Sequence, residues 1–118
     1  IFVEYHKQEV DLIFVPAAFL VPTGRAHWET LLRARAIESQ CYIVAAAQVG
    51  EHESQKWNGK KRQTWGQAMV VGPWGEVMAK GPSFDEDHSD MSPLIVELDP
   101  GPIGKTRTQI PQLSHRKL

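Results

Sequence analysis

The fold is decided by residues 10–48, which read VDLIFVPAAFLVPTGRAHWETLLRARAIESQCYIVAAAQ. Two apolar runs, 10–15 and 41–47, are continuous rather than alternating, which predicts strands that are covered on both faces. The segment 26–40 between them has helical spacing and predicts a helix. A strand, a helix and a second strand in this order predict an α/β layer.

The turn Pro22-Thr23-Gly24 precedes the predicted helix, and Thr23 or Gly24 is expected to cap it, because a threonine oxygen can accept a free backbone N–H. The flanking segments are predicted from their composition and turn residues. Residues 1–9 are predicted to be the end of a helix, and residues 50–62 a surface loop with a turn at Asn58-Gly59. A hairpin of 68–71 and 77–79 follows, and then an acidic loop in 81–92. A last strand is predicted in 93–98, and a tail in 105–113 is loose or docks on a partner.

Composition limits the classes of protein to consider. The chain has 118 residues, of which 42% are apolar and 23% charged, and its formal net charge is −1. This length allows one domain or part of one. The near-neutral charge and the lack of a long apolar run give no reason to expect binding to nucleic acid or a membrane. A single cysteine excludes an internal disulfide, so we expect the cytoplasm, with the mitochondrion as the alternative.

The residues that could react or bind metal are few. Cys41 is the only thiol, and it begins an apolar strand, so we interpret it as a core residue rather than a nucleophile. The histidines lack the spacing of a zinc site, and neither a metal nor another cofactor is expected; they are His6, His27, His52, His88 and His115. His27 stands at the predicted helix start beside Trp28, where packing or hydrogen bonding is favoured over proton transfer.

Charged clusters give two further candidates. The basic run Lys60-Lys61-Arg62 lies near Trp57 and Trp65, and cations interleaved with aromatics can bind single-stranded nucleic acid. The overall charge and the loop context favour a solvated surface instead. The acidic residues at 85–87 are also interpreted as a solvated loop. The residues by themselves therefore predict an α/β domain without a self-contained active site.

Several motifs closely resemble the nitrilase superfamily of carbon–nitrogen hydrolases. They are PAAF at 16–19, TGRAHWE at 23–29, LRARAIE at 32–38, QCYIVAAAQ at 40–48, WG at 65–66 and PWG at 73–75. The match is most similar to the branch of deaminated-glutathione amidases, which includes nitrilase domains fused to a fragile-histidine-triad domain.

The resemblance implies an α/β fold that is part of an α-β-β-α sandwich, with this chain as the C-terminal portion of one hydrolase domain. It implies homo-oligomers that associate through the sheet and the C-terminal tail. It also implies a glutamate base, a lysine that supports the oxyanion and a cysteine nucleophile that forms a thioester. The family's spacing places these three before Ile1, so no catalytic residue is expected in this chain.

The resemblance assigns supporting roles to eight residues. Pocket-lining roles are implied for Ala18, Phe19, Thr23, His27, Trp28 and Glu29, and a buried structural ion pair for Arg35 and Glu38. Three positions depart from the family pattern. Arg25 replaces a usual proline, and Ser39 stands where asparagine or threonine is common. Gln67-Ala68 replaces His-Ser, which weakens the expectation that the hairpin of 68–71 and 77–79 keeps its usual hydrogen bonds.

These observations leave two main hypotheses. In the first, the chain is a fragment of an amidase that acts on a small linear amide, such as a deaminated-glutathione-like compound, and is inactive alone. In the second, it is a non-catalytic truncated isoform that binds full-length subunits. An unrelated small-molecule or nucleic-acid binding module is the third. Because part of a two-sheet sandwich leaves one sheet face uncovered, the isolated chain is predicted to be poorly folded or oligomeric.

Overall fold

A computed structural model of the chain describes residues 1–53 and 58–115. The helices are α1 (Phe2–Lys7), α2 (Val21–Ser39), α3 (Gly101–Gln109) and α4 (Gln112–His115). The strands are β1 (Leu12–Phe14), β2 (Tyr42–Ala45), β3 (Val49–Glu53), β4 (Lys61–Trp65), β5 (Met69–Val71) and β6 (Val77–Lys80). The predicted order of strand, helix and strand is confirmed, as is the short helix near residue 1.

The main sheet has the strand order β1-β2-β5-β6. Strands β1 and β2 are parallel, with Ile13 opposite Ile43, and α2 is the crossover helix between them. The predicted hairpin forms as β5 and β6, which pair antiparallel with a register shift between Val70 and Val71. Helix α2 fixes the turn of this hairpin, because the Arg33 Nε–H donates to the Gly75 carbonyl at 2.7 Å.

The core lies between α2 and one face of this sheet. Trp28, Leu32 and Ala36 recur at helical spacing and are at most 3% exposed. They pack against the sheet residues Ile13, Ile43, Ala45, Met69 and Val71 in one apolar cluster. Burial of this area is the main favourable term for the layer.

Helix α2 begins at Val21 rather than near residue 26, and neither Thr23 nor Gly24 caps it. Leu20 is the N-cap and makes no side-chain capping bond, while the Thr23 hydroxyl donates to the Leu20 carbonyl at 3.1 Å. Pro22 lies in the first turn, where its missing N–H has no intrahelical partner to lose. The predicted turn at Pro22-Thr23-Gly24 is therefore wrong, because these residues form the first turn of the helix.

Two strands of an antiparallel pair occupy both ends of the surface loop predicted for residues 50–62. Strands β3 and β4 pair antiparallel in a separate two-stranded sheet, with Gly50 opposite Thr64. The turn predicted at Asn58-Gly59 is confirmed, and both residues have positive φ, at 53° and 73°. Trp57 lies outside the described residues. The loop prediction was wrong because the outward side chains of this ribbon are charged and hid the strand pattern.

The strand predicted for residues 93–98 is absent, and the tail is not loose. Residues 91–99 have no strand partner within the described part of the chain, and Ile95 is 92% exposed. The tail instead forms α3, which docks on its own chain. The Gln40 amide donates to the Ile110 carbonyl at 2.7 Å, and Arg107 donates to the Val10 carbonyl at 2.8 Å. In residues 1–53 and 58–115, no helix has the length and apolar character needed to cross a membrane.

Gly24 sets how closely α2 approaches β4. A Cβ at this position would overlap the Cβ and Cγ of Trp65, which cannot move without moving the strand. We predict that Gly24→Ala lowers the free energy of unfolding of the protein carrying this chain by about 1–3 kcal/mol, measured by urea unfolding. Gly104→Ala is the matched control, because a Cβ there meets nothing within 4 Å. It should be neutral or slightly stabilising; equal losses for both variants would contradict the packing argument.

Candidate functional site

The candidate site is the segment that follows β1 at the carboxyl end of the parallel strands. It continues beside β2, because Ala17 N–H donates to the Ala46 carbonyl at 2.9 Å and Gln48 N–H donates to the Ala17 carbonyl at 3.1 Å. It then meets β4, where Trp65 N–H donates to the Phe19 carbonyl at 2.9 Å. Ligands of α/β proteins commonly bind at this end of the strands. Ala18 is exposed there, and the segment is fixed on both sides.

Trp28 joins this segment to the β4–β5 connection. Its ring lies 5.0 Å from that of Phe19 at a tilt of 60°, and its indole N–H donates to the Gln67 carbonyl at 2.8 Å. Gln67 has a positive φ of 61°, which turns its carbonyl out of the strand direction toward the helix. The bond to the backbone explains how a buried indole keeps its N–H satisfied.

The other predicted pocket-lining residues do not converge on one cavity. Thr23 and His27 are exposed, and Thr23 bonds only within its own helix. Glu29 faces β6 and pairs with Lys80, with 3.6 Å between carboxylate and ammonium. The structure thus brings Phe19 and Trp28 together and places Glu29 elsewhere. Their pocket-lining role remains a prediction.

Two cavities lie nearby, and neither is lined by any of the six predicted residues. The first is a shallow groove of about 420 Å³ between the start of α2 and β4. The second has about 330 Å³ and lies between the sheet and the segment 91–94; Val44 and Val70 line it from the sheet, and Met91 and Leu94 from the segment. Sequence reasoning missed both, because the residues that line them are distant along the chain.

Arg25, one of the departures from the family pattern, fixes the acidic loop to α2. Its guanidinium donates to both carboxylate oxygens of Asp85, at 2.8 and 2.6 Å, and lies 5.6 Å from the centre of the Trp65 ring. This hydrogen bonding holds the pKa of Asp85 below its ordinary value. The pair is about half exposed, so it positions the loop more than it stabilises the fold.

The predicted buried ion pair forms, but this chain does not bury it. Arg35 Nη1 lies 2.8 Å from the Glu38 carboxylate, and the side chains are 38% and 48% exposed. The two residues are three apart on the outer side of α2, where water reaches both. The Arg35 guanidinium also lies 4.8 Å from the centre of the Phe2 ring, which links α2 to α1. Burial of the pair in the complete protein stays a prediction.

Cys41 is a core residue, as predicted. It is fully buried, and burial raises the pKa of its thiol from the ordinary 9.0 to about 11. A thiolate nucleophile needs the opposite shift. Among the described residues, no group of three His, Cys, Asp or Glu side chains could hold a metal ion.

The sequence of the chain matches a known family of proteins. Residues 2–108 match the family model described as carbon-nitrogen hydrolase. The chain is 43% identical over 117 residues to a deaminated glutathione amidase of Yersinia enterocolitica, covering 99% of this chain and 37% of that protein. It is 46% identical over 111 residues to the nitrilase and fragile histidine triad fusion protein NitFhit of Caenorhabditis elegans, covering 94% and 22%.

A solved structure agrees with the sequence matches. The crystal structure of the C. elegans NitFhit protein has a TM-score of 0.77 and 41% identity, and the alignment covers 98% of this chain and 25% of that one. The predicted nitrilase-superfamily fold is thereby confirmed. The chain spans well under half the length of these relatives.

The Trp28 bond to Gln67 is testable by a change that keeps an aromatic ring. We predict that Trp28→Phe lowers the free energy of unfolding by about 1–3 kcal/mol, because it removes the N–H donor and leaves space beside Phe19. Trp74→Phe is the control, since Trp74 is 58% exposed, and it should change stability by less than about 0.5 kcal/mol. A neutral Trp28→Phe would show that the bond does not hold the connection.

The Cys41 assignment predicts slow thiol chemistry in the folded state. A thiol with a pKa of about 11 and no exposure should react with a disulfide reagent at pH 8 only as fast as the protein opens. The raised pKa also stabilises the fold fully below about pH 9, and this contribution is lost as pH rises through 11. Fast labelling of native Cys41 at pH 8 would refute its burial.

Proposed function

Because the chain belongs to the carbon–nitrogen hydrolase family, we propose that it is the C-terminal portion of one hydrolase domain that cleaves a small linear amide. The proposed substrate is a deaminated-glutathione-like compound. The observation that carries the proposal is the 43% identity, across 99% of the chain, to a protein named for that activity. The same protein extends well beyond the aligned region, which leaves room for a nucleophile outside this chain.

The packing of the sheet supports the view that this chain is part of a larger domain. One face of the sheet is covered by α2, whereas Phe14 on β1 is 70% exposed. Val44 and Val70, opposite each other in β2 and β5, line the cavity beneath the segment 91–94. Continuous apolar strands are typical of sheets covered on both faces. A further layer from the same domain would cover this side.

The chemistry proposed for the whole domain is acyl transfer through a cysteine. A thiolate attacks the amide carbon, the amine leaves with a proton, and water then cleaves the thioester to release a carboxylic acid. Glutamate serves as the base and lysine supports the oxyanion, as in the family. These residues are proposed to lie outside this chain, because Cys41 is buried and its raised pKa disfavours the thiolate.

Within this proposal the chain supplies supporting structure. Phe19 and Trp28 form a fixed wall beside the strand ends, and Ala18 is the small exposed residue next to them. Holding a substrate in one geometry accelerates a reaction by removing the cost of ordering it. The proposed partners are further copies of the protein, through the sheet and tail, and a fused fragile-histidine-triad domain, as in the NitFhit relatives. The proposed compartment is the cytoplasm.

A second candidate is a non-catalytic form that binds full-length subunits. The exposed Phe14 and the unpaired segment 91–99 favour it, because both need a covering partner. Residues 1–118 are produced alone, assayed for ammonia or amine release, and sedimented with and without the full-length protein. An inactive chain that aggregates and does not join the full-length protein supports the fragment, and an inactive chain that co-sediments with the full-length protein supports the second candidate. Thiol-dependent turnover by this chain alone would contradict both.

The proposed function predicts a specific pattern of thiol dependence. The protein that contains this chain should release amine from deaminated glutathione, and iodoacetamide should abolish this release. The variant Cys41→Ala should keep its activity within about threefold and remain sensitive to iodoacetamide, because the reactive thiol is a different one. An enzyme that loses activity with Cys41→Ala while remaining folded would overturn the assignment.

A further inference from the structure

The groove between α2 and β4 is lined on one side by Lys60, Lys61, Arg62 and Gln63 and on the other by Leu20, Val21 and Pro22. This is the basic run that the sequence singled out and that the proposed reaction does not use. We propose that this groove binds a carboxylate of the amide substrate and selects acidic amides over uncharged ones. The inference rests on the proposed function, because it names the substrate class of that reaction.

The basic side chains that line the groove differ in whether an acidic residue of the same chain already pairs with them. Lys61 is already paired, with its ammonium 2.6 Å from Glu51 and 3.6 Å from Glu53 on the neighbouring strand. Lys60 makes no ion pair or side-chain hydrogen bond with the described residues. Of the described residues that line the groove, none is acidic. The Lys60 ammonium can therefore pair with a carboxylate of a ligand. Arg62, two residues further along the chain, lines the same side of the groove.

The groove adjoins the candidate site through the backbone. Leu20 directly follows Phe19, and it forms an isolated bridge with Thr64 of β4. The Phe19 carbonyl accepts from Trp65 N–H at 2.9 Å. The hairpin strand that carries Lys61 and Arg62 is thus fixed to the segment that forms the proposed pocket wall. Leu20 is thus shared by the groove and by the segment that carries Phe19.

The chemistry of the proposed substrate fits such a groove. Deaminated glutathione retains its carboxylates, which are ionised at neutral pH. Among the described residues, two other cations are already engaged, since Arg25 is bound to Asp85 through both oxygens and Lys80 faces Glu29. Stacking of nucleic-acid bases fits less well, because the Trp65 ring is only 7% exposed.

The test uses the complete protein, two probes and a matched control. Lys60→Glu should raise KM for deaminated glutathione about tenfold or more, because charge-assisted hydrogen bonds to carboxylates are the strong ones. The value of kcat should stay within about twofold, and turnover of the dimethyl ester should be nearly unchanged. Lys60→Arg should restore KM. Lys105→Glu makes the same charge change on the exposed side of α3 and should leave KM unaltered.

Each failure has a distinct meaning. If the wild type turns over deaminated glutathione and Lys60→Glu leaves KM unchanged, or changes both probes equally, the groove proposal is wrong and the proposed function stands. If the wild type turns over neither probe, the proposed function fails. In that case, calorimetric binding of deaminated glutathione tests the groove proposal by itself. Wild-type binding that is lost in Lys60→Glu supports the groove proposal, whereas no wild-type binding, or binding unaltered in Lys60→Glu, overturns it. Binding of a thymidine 12-mer that depends on Lys60, with unchanged KM, assigns the groove to nucleic acid instead.

Discussion

The rest of this structure depends on the contacts that the Trp28 side chain makes with Phe19 and Gln67. This side chain is 2% exposed, lies against Phe19 and donates its N–H to the Gln67 carbonyl. One residue of α2 therefore fixes the segment after β1 and the connection before β5. Gly24, one turn earlier, permits the close approach of Trp65. Helix, parallel strands and the ribbon of β3 and β4 are held in one arrangement by this group of aromatic contacts.

The sheet on which α2 packs has two unlike faces. The inner face belongs to a closed apolar cluster, whereas Phe14 on the outer face is largely exposed. An uncovered apolar face of this kind loses the stabilisation that burial would give and favours association. This asymmetry and the greater length of the relatives support the proposal that the chain is one part of a hydrolase domain.

The parallel strands and the burial of Cys41 could be predicted from the sequence, because both follow from the order of apolar residues along a short segment. The apolar runs before Pro16 and after Gln40 become parallel strands, and Cys41 is buried because it lies between α2 and the second of them. Other features depend on residues distant in sequence. The strand expected in 93–98 finds no partner in the described chain, and the ribbon of β3 and β4 is stabilised by cross-strand pairs, such as Lys61 with Glu51, that no periodicity reveals. Arg35 and Glu38 pair as expected, but exposure depends on what covers α2, which a motif does not encode.

We propose that this chain shapes and supports a hydrolase site whose nucleophile lies outside residues 1–118. Mass spectrometry of the acyl-enzyme tests it most directly: the protein is quenched in acid during turnover of deaminated glutathione, digested, and searched for the peptide that carries the acyl group. The expected result is a thioester on a cysteine outside residues 1–118. An acyl group on Cys41 would contradict it.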